Sequence, residues 1–148
     1  DVFCCLGTTI RIAKTKEAFR KVDYEYPLEL ARVAKNQGAT QYLLVSALGA
    51  DKNSSVFYNK VKGEVEESIG QLSFSTLRIF RPSLLLGNRI EQRTGEGAAT
   101  AVFKFFGFLI PAKFKAIDSL KVAKAMQMLA KENSHGHYVH ESRELQGY

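Results

Sequence analysis

The sequence predicts an α/β fold, a doubly wound parallel sheet with helices on both faces, and three observations carry that expectation. Short apolar runs alternate along the chain with segments of helical periodicity. The runs are apolar at successive positions, as in Leu43-Leu44-Val45, which fits strands buried on both faces. Strands separated by helices pair in parallel through crossovers, for which the right hand is the rule.

Val2-Phe3-Cys4-Cys5-Leu6 reads as a buried first strand that opens into a loop at Gly7-Thr8-Thr9. The next element is a helix closed by Gly38, with Asp23 or Tyr24 near its start and Pro27 in its first turn. Tyr26, Leu30, Val33 and Ala34 form its apolar face. Gln41 to Ser46 is a second strand, and a polar loop through Asp51, Asn53, Ser54 and Ser55 comes after it. Val61, Val65 and Ile69, at four-residue spacing, then mark a helix that Gly70 ends.

Thr76 to Phe80 is a third strand, stopped before Pro82. Asn88 to Gly97, polar and glycine-containing, reads as a mobile loop, and Ala98 to Phe108 as a helix. Asp118 to Ala130 is helical, with Asp118 as N-cap and Val122, Ala125, Met126 and Leu129 on the buried face. His137 to His140 adds a short last strand.

At 148 residues, 45% hydrophobic and 24% charged, the chain fits one domain over residues 1–148 with a core of its own. It begins at Asp1 and enters an apolar strand at once, and that abruptness suggests missing sequence. Val102 to Ile110, the longest apolar run, is interrupted by Lys104 and Gly107 and falls short of the roughly 20 residues that span a bilayer. Adjacent Cys4 and Cys5 suit neither an ordinary disulfide nor a metal-ligand spacing, so a reducing compartment and a cytoplasmic location are expected.

The net charge of +6 admits phosphate-bearing ligands, but Lys and Arg are dispersed and mark no nucleic-acid face. His135, His137 and His140 lack the Cys or carboxylate companions of a metal site, and no metal is expected there. Phe103, Phe105, Phe106 and Phe108 are too many for one helix face and are assigned to core and substrate-pocket wall. Association with a membrane surface through Lys104, Lys113 and Lys115 beside those rings is the lesser alternative. Arg89, Glu91 and Arg93 fall in a solvated loop that could also close over substrate, and oligomeric state is not indicated.

Tyr58 and Lys62, four residues apart on one helix, place a phenol and an ammonium on one face. A neighbouring cation stabilises a phenolate, so such a tyrosine can exchange a proton with a carbonyl or alcohol near neutrality. The spacing alone arises by chance in roughly half of chains of this composition. Ser46 gives it weight, because a strand-end serine followed by a helix-borne tyrosine and lysine is a much rarer order.

The chain thereby resembles the short-chain dehydrogenase/reductase superfamily, and within it the atypical branch of the Tat-interacting, oxidoreductase-like proteins. The residues are Cys-Cys-Leu-Gly-Thr-Thr at 4 to 9, Ser-Ala-Leu-Gly-Ala-Asp at 46 to 51, Tyr-Asn-Lys-Val-Lys-Gly-Glu-Val-Glu at 58 to 66, and Phe-Arg-Pro at 80 to 82. The likeness implies a Rossmann-type NAD(P)-binding sheet, of which this chain is the C-terminal two-thirds. It implies that Tyr58 is the proton donor or acceptor, that Lys62 binds the nicotinamide ribose and tunes Tyr58, and that Ser46 orients a substrate carbonyl.

It further implies that Leu6, Gly7, Thr8 and Thr9 line the adenine-ribose and pyrophosphate side of the cofactor, while Pro82, Ser83 and Leu84 approach the nicotinamide. The expected function is hydride transfer between NADP or NAD, with NADP preferred, and a small carbonyl or alcohol. A cofactor-responsive binding protein without catalysis is the alternative. Two family features have no counterpart in these residues: the Gly-x-x-Gly-x-x-Gly turn and the strand that chooses NAD or NADP. The asparagine of the family's proton relay is not assigned.

Overall fold

A computed structural model describes residues 1–86 and 115–148. The expected loop Asn88 to Gly97 with Arg89, Glu91 and Arg93, the helix Ala98 to Phe108 with its phenylalanines and Lys104, and Lys113 lie outside the described residues.

Four strands, β1 (Val2–Cys4), β2 (Gln41–Val45), β3 (Thr76–Arg81) and β6 (Gly136–Glu141), form one sheet in the order β1-β2-β3-β6, every pair parallel. A second ladder joins β4 (Leu85–Leu86) to β5 (Ile117–Asp118). Side-chain alternation divides the core between the two faces of the main sheet. Tyr42, Leu44, Leu77 and Ile79 pack with Leu28, Ala31 and Ala34 of α3 (Tyr26–Asn36) and with Val65 and Ile69 of α4 (Phe57–Gly70). Leu43 and Phe80 pack on the other face with Val122, Ala125, Met126 and Leu129 of α5 (Ser119–Ala130) and with Leu145 of α6 (Ser142–Leu145).

The doubly wound α/β architecture is therefore present. α5 covers the opposite face of the sheet from α3 and α4, and so supplies the second cover that strands apolar on both faces need.

Strand β1 is shorter than expected, and Phe3 and Leu6 are exposed while Cys4 is buried, because β1 is the sheet's end strand and pairs only with β2 among the described residues. Between residues 10 and 25 the chain holds helices that periodicity did not disclose. These are α1 (Ile10–Ala13), capped by Thr9, and α2 (Lys16–Arg20), capped by Thr15. Residues Lys21–Glu25 then form a π turn that runs directly into α3. The buried stripe of α3 is not the expected one: Pro27, Leu28, Ala31 and Ala34 are buried, and Tyr26, Leu30 and Val33 are exposed. Both stripes have helical spacing, and the one through Leu28, Ala31 and Ala34 is the one that packs with Tyr42 and Leu44 of the sheet. Asp23, expected near the helix start, is a buried residue inside the π turn.

The remaining elements keep to the pattern. Val61, Val65 and Ile69 are all buried on α4. Asp118 caps α5 by accepting from Leu120 N at 2.9 Å, and its four apolar positions are inward. Of the histidines, His135 precedes β6, His137 lies within it, and His140 is buried against Arg78 and Glu144.

Candidate active site at the strand ends

The C-terminal ends of β1, β2 and β3 point the same way and carry the loops at Gly7, Ser46 and Pro82. Ser46 comes directly after β2; its backbone N–H donates to the Phe80 carbonyl at 2.7 Å, and Leu48 N–H donates to the Pro82 carbonyl at 2.9 Å. These bonds hold the Ser46 and Pro82 segments side by side beyond the ladder. Ser46 is 6% exposed, and its Oγ has no hydrogen-bond partner among the described residues. A buried hydroxyl left unpaired is costly, so Oγ is the kind of group that a ligand oxygen would satisfy.

Tyr58 stands in the first turn of α4, half-buried, with its ring 5.5 Å from that of Phe19 on α2. Phe19 is fully buried and meets Phe57 as well, so α2 forms the wall against which this end of α4 rests. One turn further, Lys62 is 5% exposed and its Nζ lies 2.7 Å from Oδ1 of Asp23. Asp23 Oδ2 accepts from the Thr8 N–H at 2.8 Å. The loop after β1, the π turn and α4 thus converge on one carboxylate. Gly7 completes the cluster, since a Cβ there would stand 3.2 Å from Asp23 Oδ1 and 3.6 Å from Lys62 Nζ.

Of the residues expected on the cofactor side, Gly7 and Thr8 therefore adjoin Lys62. Leu6 is exposed, and the Thr9 hydroxyl caps α1 by accepting from Ile12 N at 3.2 Å. Pro82 is buried beside the Ser46 segment, the Ser83 hydroxyl contacts the Lys115 carbonyl, and the Leu84 carbonyl accepts from Ile117 N at 2.9 Å. Pro82 to Leu84 thus link β3 to the second ladder. Lys115, the lesser alternative's membrane contact, is engaged there through its backbone carbonyl.

Sequence reasoning missed Phe19, the π turn and the partnership of Asp23 with Lys62. Thr15 as an N-cap with Glu17 in the first turn was an available signal for α2. No local pattern announces an ion pair between residues so distant in sequence.

Behind α4 a groove of about 290 Å³ runs toward β6, lined by Gly63, Glu66, Ile79, Arg81 and Val139 among others. It contains none of Ser46, Tyr58 or Lys62. Two carboxylates engage its arginine: Arg81 bonds bidentately to Glu66, at 2.6 and 3.1 Å, and to Glu141 at 3.0 Å. The Glu66 bonds foremost, and then Glu141, raise the guanidinium pKa against a desolvation that would lower it.

HTATIP2 of Rattus norvegicus is 45% identical to the chain over 126 residues, which cover 84% of this chain and 50% of that protein. FMP52 of Debaryomyces hansenii is 39% identical over 135 residues, covering 88% of this chain and 58% of that protein. The chain belongs to this HTATIP2/FMP52 family. It spans about half the length of the curated relatives it matches. No family model matches the chain.

Among solved structures, UDP-glucose 4-epimerase of Thermotoga maritima, determined with UDP-glucose, matches with a TM-score of 0.65 at 16% identity. The match covers 93% of this chain and 53% of that one, and at that identity it shows the Rossmann-type fold.

The expected cytoplasmic location is corrected by these relatives, because the fungal FMP52 proteins are named as mitochondrial. Free cysteines separate reducing from oxidising compartments and do not choose among the reducing ones.

Proposed function

We propose that this member of the HTATIP2/FMP52 family contributes the nicotinamide side of an NAD(P)-dependent oxidoreductase site that acts on a small carbonyl or alcohol. The observation that carries the reading is the buried, unpartnered Ser46 Oγ at the end of β2, on the sheet edge that also carries Gly7 and Pro82. In parallel α/β sheets that edge is where ligands bind.

The residues present suit a dinucleotide on this side. Gly7 leaves open the space beside Lys62 Nζ that a Cβ would take, and the ammonium, paired with Asp23 at 2.7 Å, carries three donors. Lys62 would hold the ribose near the nicotinamide, Gly7 and Thr8 would border the adenine-ribose and pyrophosphate side, and Pro82 to Leu84 would border the ring. When bound, the dinucleotide supplies or accepts the hydride.

The chain's own residues handle the oxygen. Ser46 Oγ donates to the substrate carbonyl oxygen and so fixes its position. Tyr58 gives that oxygen its proton in reduction and takes it back in oxidation. Lys62 stabilises the phenolate that Tyr58 becomes, with its charge offset by Asp23. Mitochondrial residence is part of the proposal, after the fungal relatives. Titration of the full chain with NADPH and NADH, followed by a carbonyl substrate screen, tests it. Binding with turnover supports the reading, and binding without turnover on any carbonyl would leave a cofactor-responsive binding protein instead.

A further inference from the structure

Lys62 and Asp23 are among the most deeply buried charged residues described, at 5% and 1% exposure. Desolvating two charges is costly, and a buried pair contributes little net stability compared with apolar side chains of the same volume. The pair is therefore better explained by what it holds in place than by the stability it adds. A lysine side chain is a flexible stem with large rotamer entropy, and in this site one carboxylate removes that freedom.

Two features aim the carboxylate. The π turn of Lys21–Glu25 places Asp23 inward, and such turns occur frequently at functional sites. Its two oxygens are divided between partners on different elements, Oδ1 to Lys62 on α4 and Oδ2 to Thr8 N–H in the loop after β1. The loop and the helix are joined through Asp23, with Gly7 closing on the pair.

Resting on the functional reading above, we propose that Asp23 is the positioning residue of the site: it fixes the Lys62 ammonium toward the nicotinamide ribose and couples that placement to the Thr8 loop. Asp23 does not touch the ligand. It acts through Lys62, and its charge keeps the pair near neutral, which suits ribose hydroxyls rather than a phosphate.

The test uses the full chain, wild type and Asp23→Asn, titrated with NADH, NADPH and ADP, the last ending short of the nicotinamide ribose. Asparagine keeps an acceptor for Thr8 and drops the charge. Dinucleotide binding is expected to weaken by about tenfold or more, as for a buried charge that loses its partner, while ADP binding stays within about twofold. A merely structural role would move ADP and dinucleotide together or move neither, and either result overturns the proposal.

Should Asp23→Asn fail to fold, Asp23→Glu keeps the charge, displaces it by a methylene, and must show the same split in smaller measure. Equal binding of all three ligands by that variant and wild type overturns the proposal as well. Wild type that binds neither dinucleotide overturns the functional reading itself, whereas wild-type binding with an unaffected variant removes only the role of Asp23.

Discussion

Gly63 lies so close to the loop before α4 that a Cβ on it would stand 2.1 Å from the backbone nitrogen of Lys52. The same loop donates Asp51 N–H to the Asn59 carbonyl at 3.0 Å, so backbone rests on backbone beside Lys62. Gly63→Ala forces the loop away or the helix aside. The expected cost is about 1–3 kcal/mol, the range for inserting atoms into a packed site. Urea unfolding checks it: the midpoint should fall with an unchanged slope.

Arg78, the largest fully buried side chain among the described residues, crosses from β3 to the segment before β6. Its Nη2 donates to Glu132 at 2.8 Å and to Ser134 at 2.5 Å, and its Nη1 lies 3.3 Å from His140 Nε2. A guanidinium only donates, so His140 accepts at Nε2 and gives its Nδ1 proton to Glu144 at 2.7 Å. Arg78→Ala empties the volume and strips His140 of its donor, an expected loss of about 2–4 kcal/mol. Glu132 is half-exposed and returns to water, so Glu132→Ala should cost at most about 1 kcal/mol. Equal losses in thermal unfolding would contradict this division.

Tyr42 is fully buried under α3 and donates its hydroxyl to the Pro27 carbonyl at 3.0 Å. Burial foremost, with Cys4 adding to it, pushes its pKa well above the ordinary tyrosine value. The folded protein therefore holds this proton more tightly than the unfolded chain. Its contribution to stability is whole below the unfolded pKa near 10 and declines as pH rises beyond it. Melting temperature followed from about pH 8 to about pH 11 should fall more steeply for wild type than for Tyr42→Phe. At neutral pH the variant should lose about 1 kcal/mol for the missing hydrogen bond.

Asp118 caps α5 through Leu120 N. Asp118→Ala should cost about 1 kcal/mol in urea unfolding, and Asp118→Asn much less. No change in the alanine variant would show that the cap is redundant with packing.

Most of the α/β frame is legible in the sequence wherever apolar spacing alone determines burial. The inward positions of α4 and α5, the strands β2 and β3, and the cap at Asp118 derive from local pattern, and the structure repeats them. The face of α3 was misplaced because two apolar stripes of that helix have helical spacing, and only packing against the sheet selects the one through Leu28, Ala31 and Ala34. At the site, Tyr58 and Lys62 could be paired by helical spacing, and Ser46 by its place at a strand end. Asp23 was beyond reach: a lone aspartate in a helical stretch reads as a cap, and only the fold brings it to Lys62. Gly63 was likewise hidden, since the close approach that requires it comes from a loop rather than from α4 itself.

The proposed chemistry turns on the phenol of Tyr58. Tyr58→Phe keeps the ring against Phe19 and removes the hydroxyl, so dinucleotide binding measured by titration should match wild type. Carbonyl reduction with saturating cofactor should fall by about 10²–10⁴-fold, the usual contribution of a positioned acid-base group. Turnover by Tyr58→Phe equal to that of wild type would contradict the central claim.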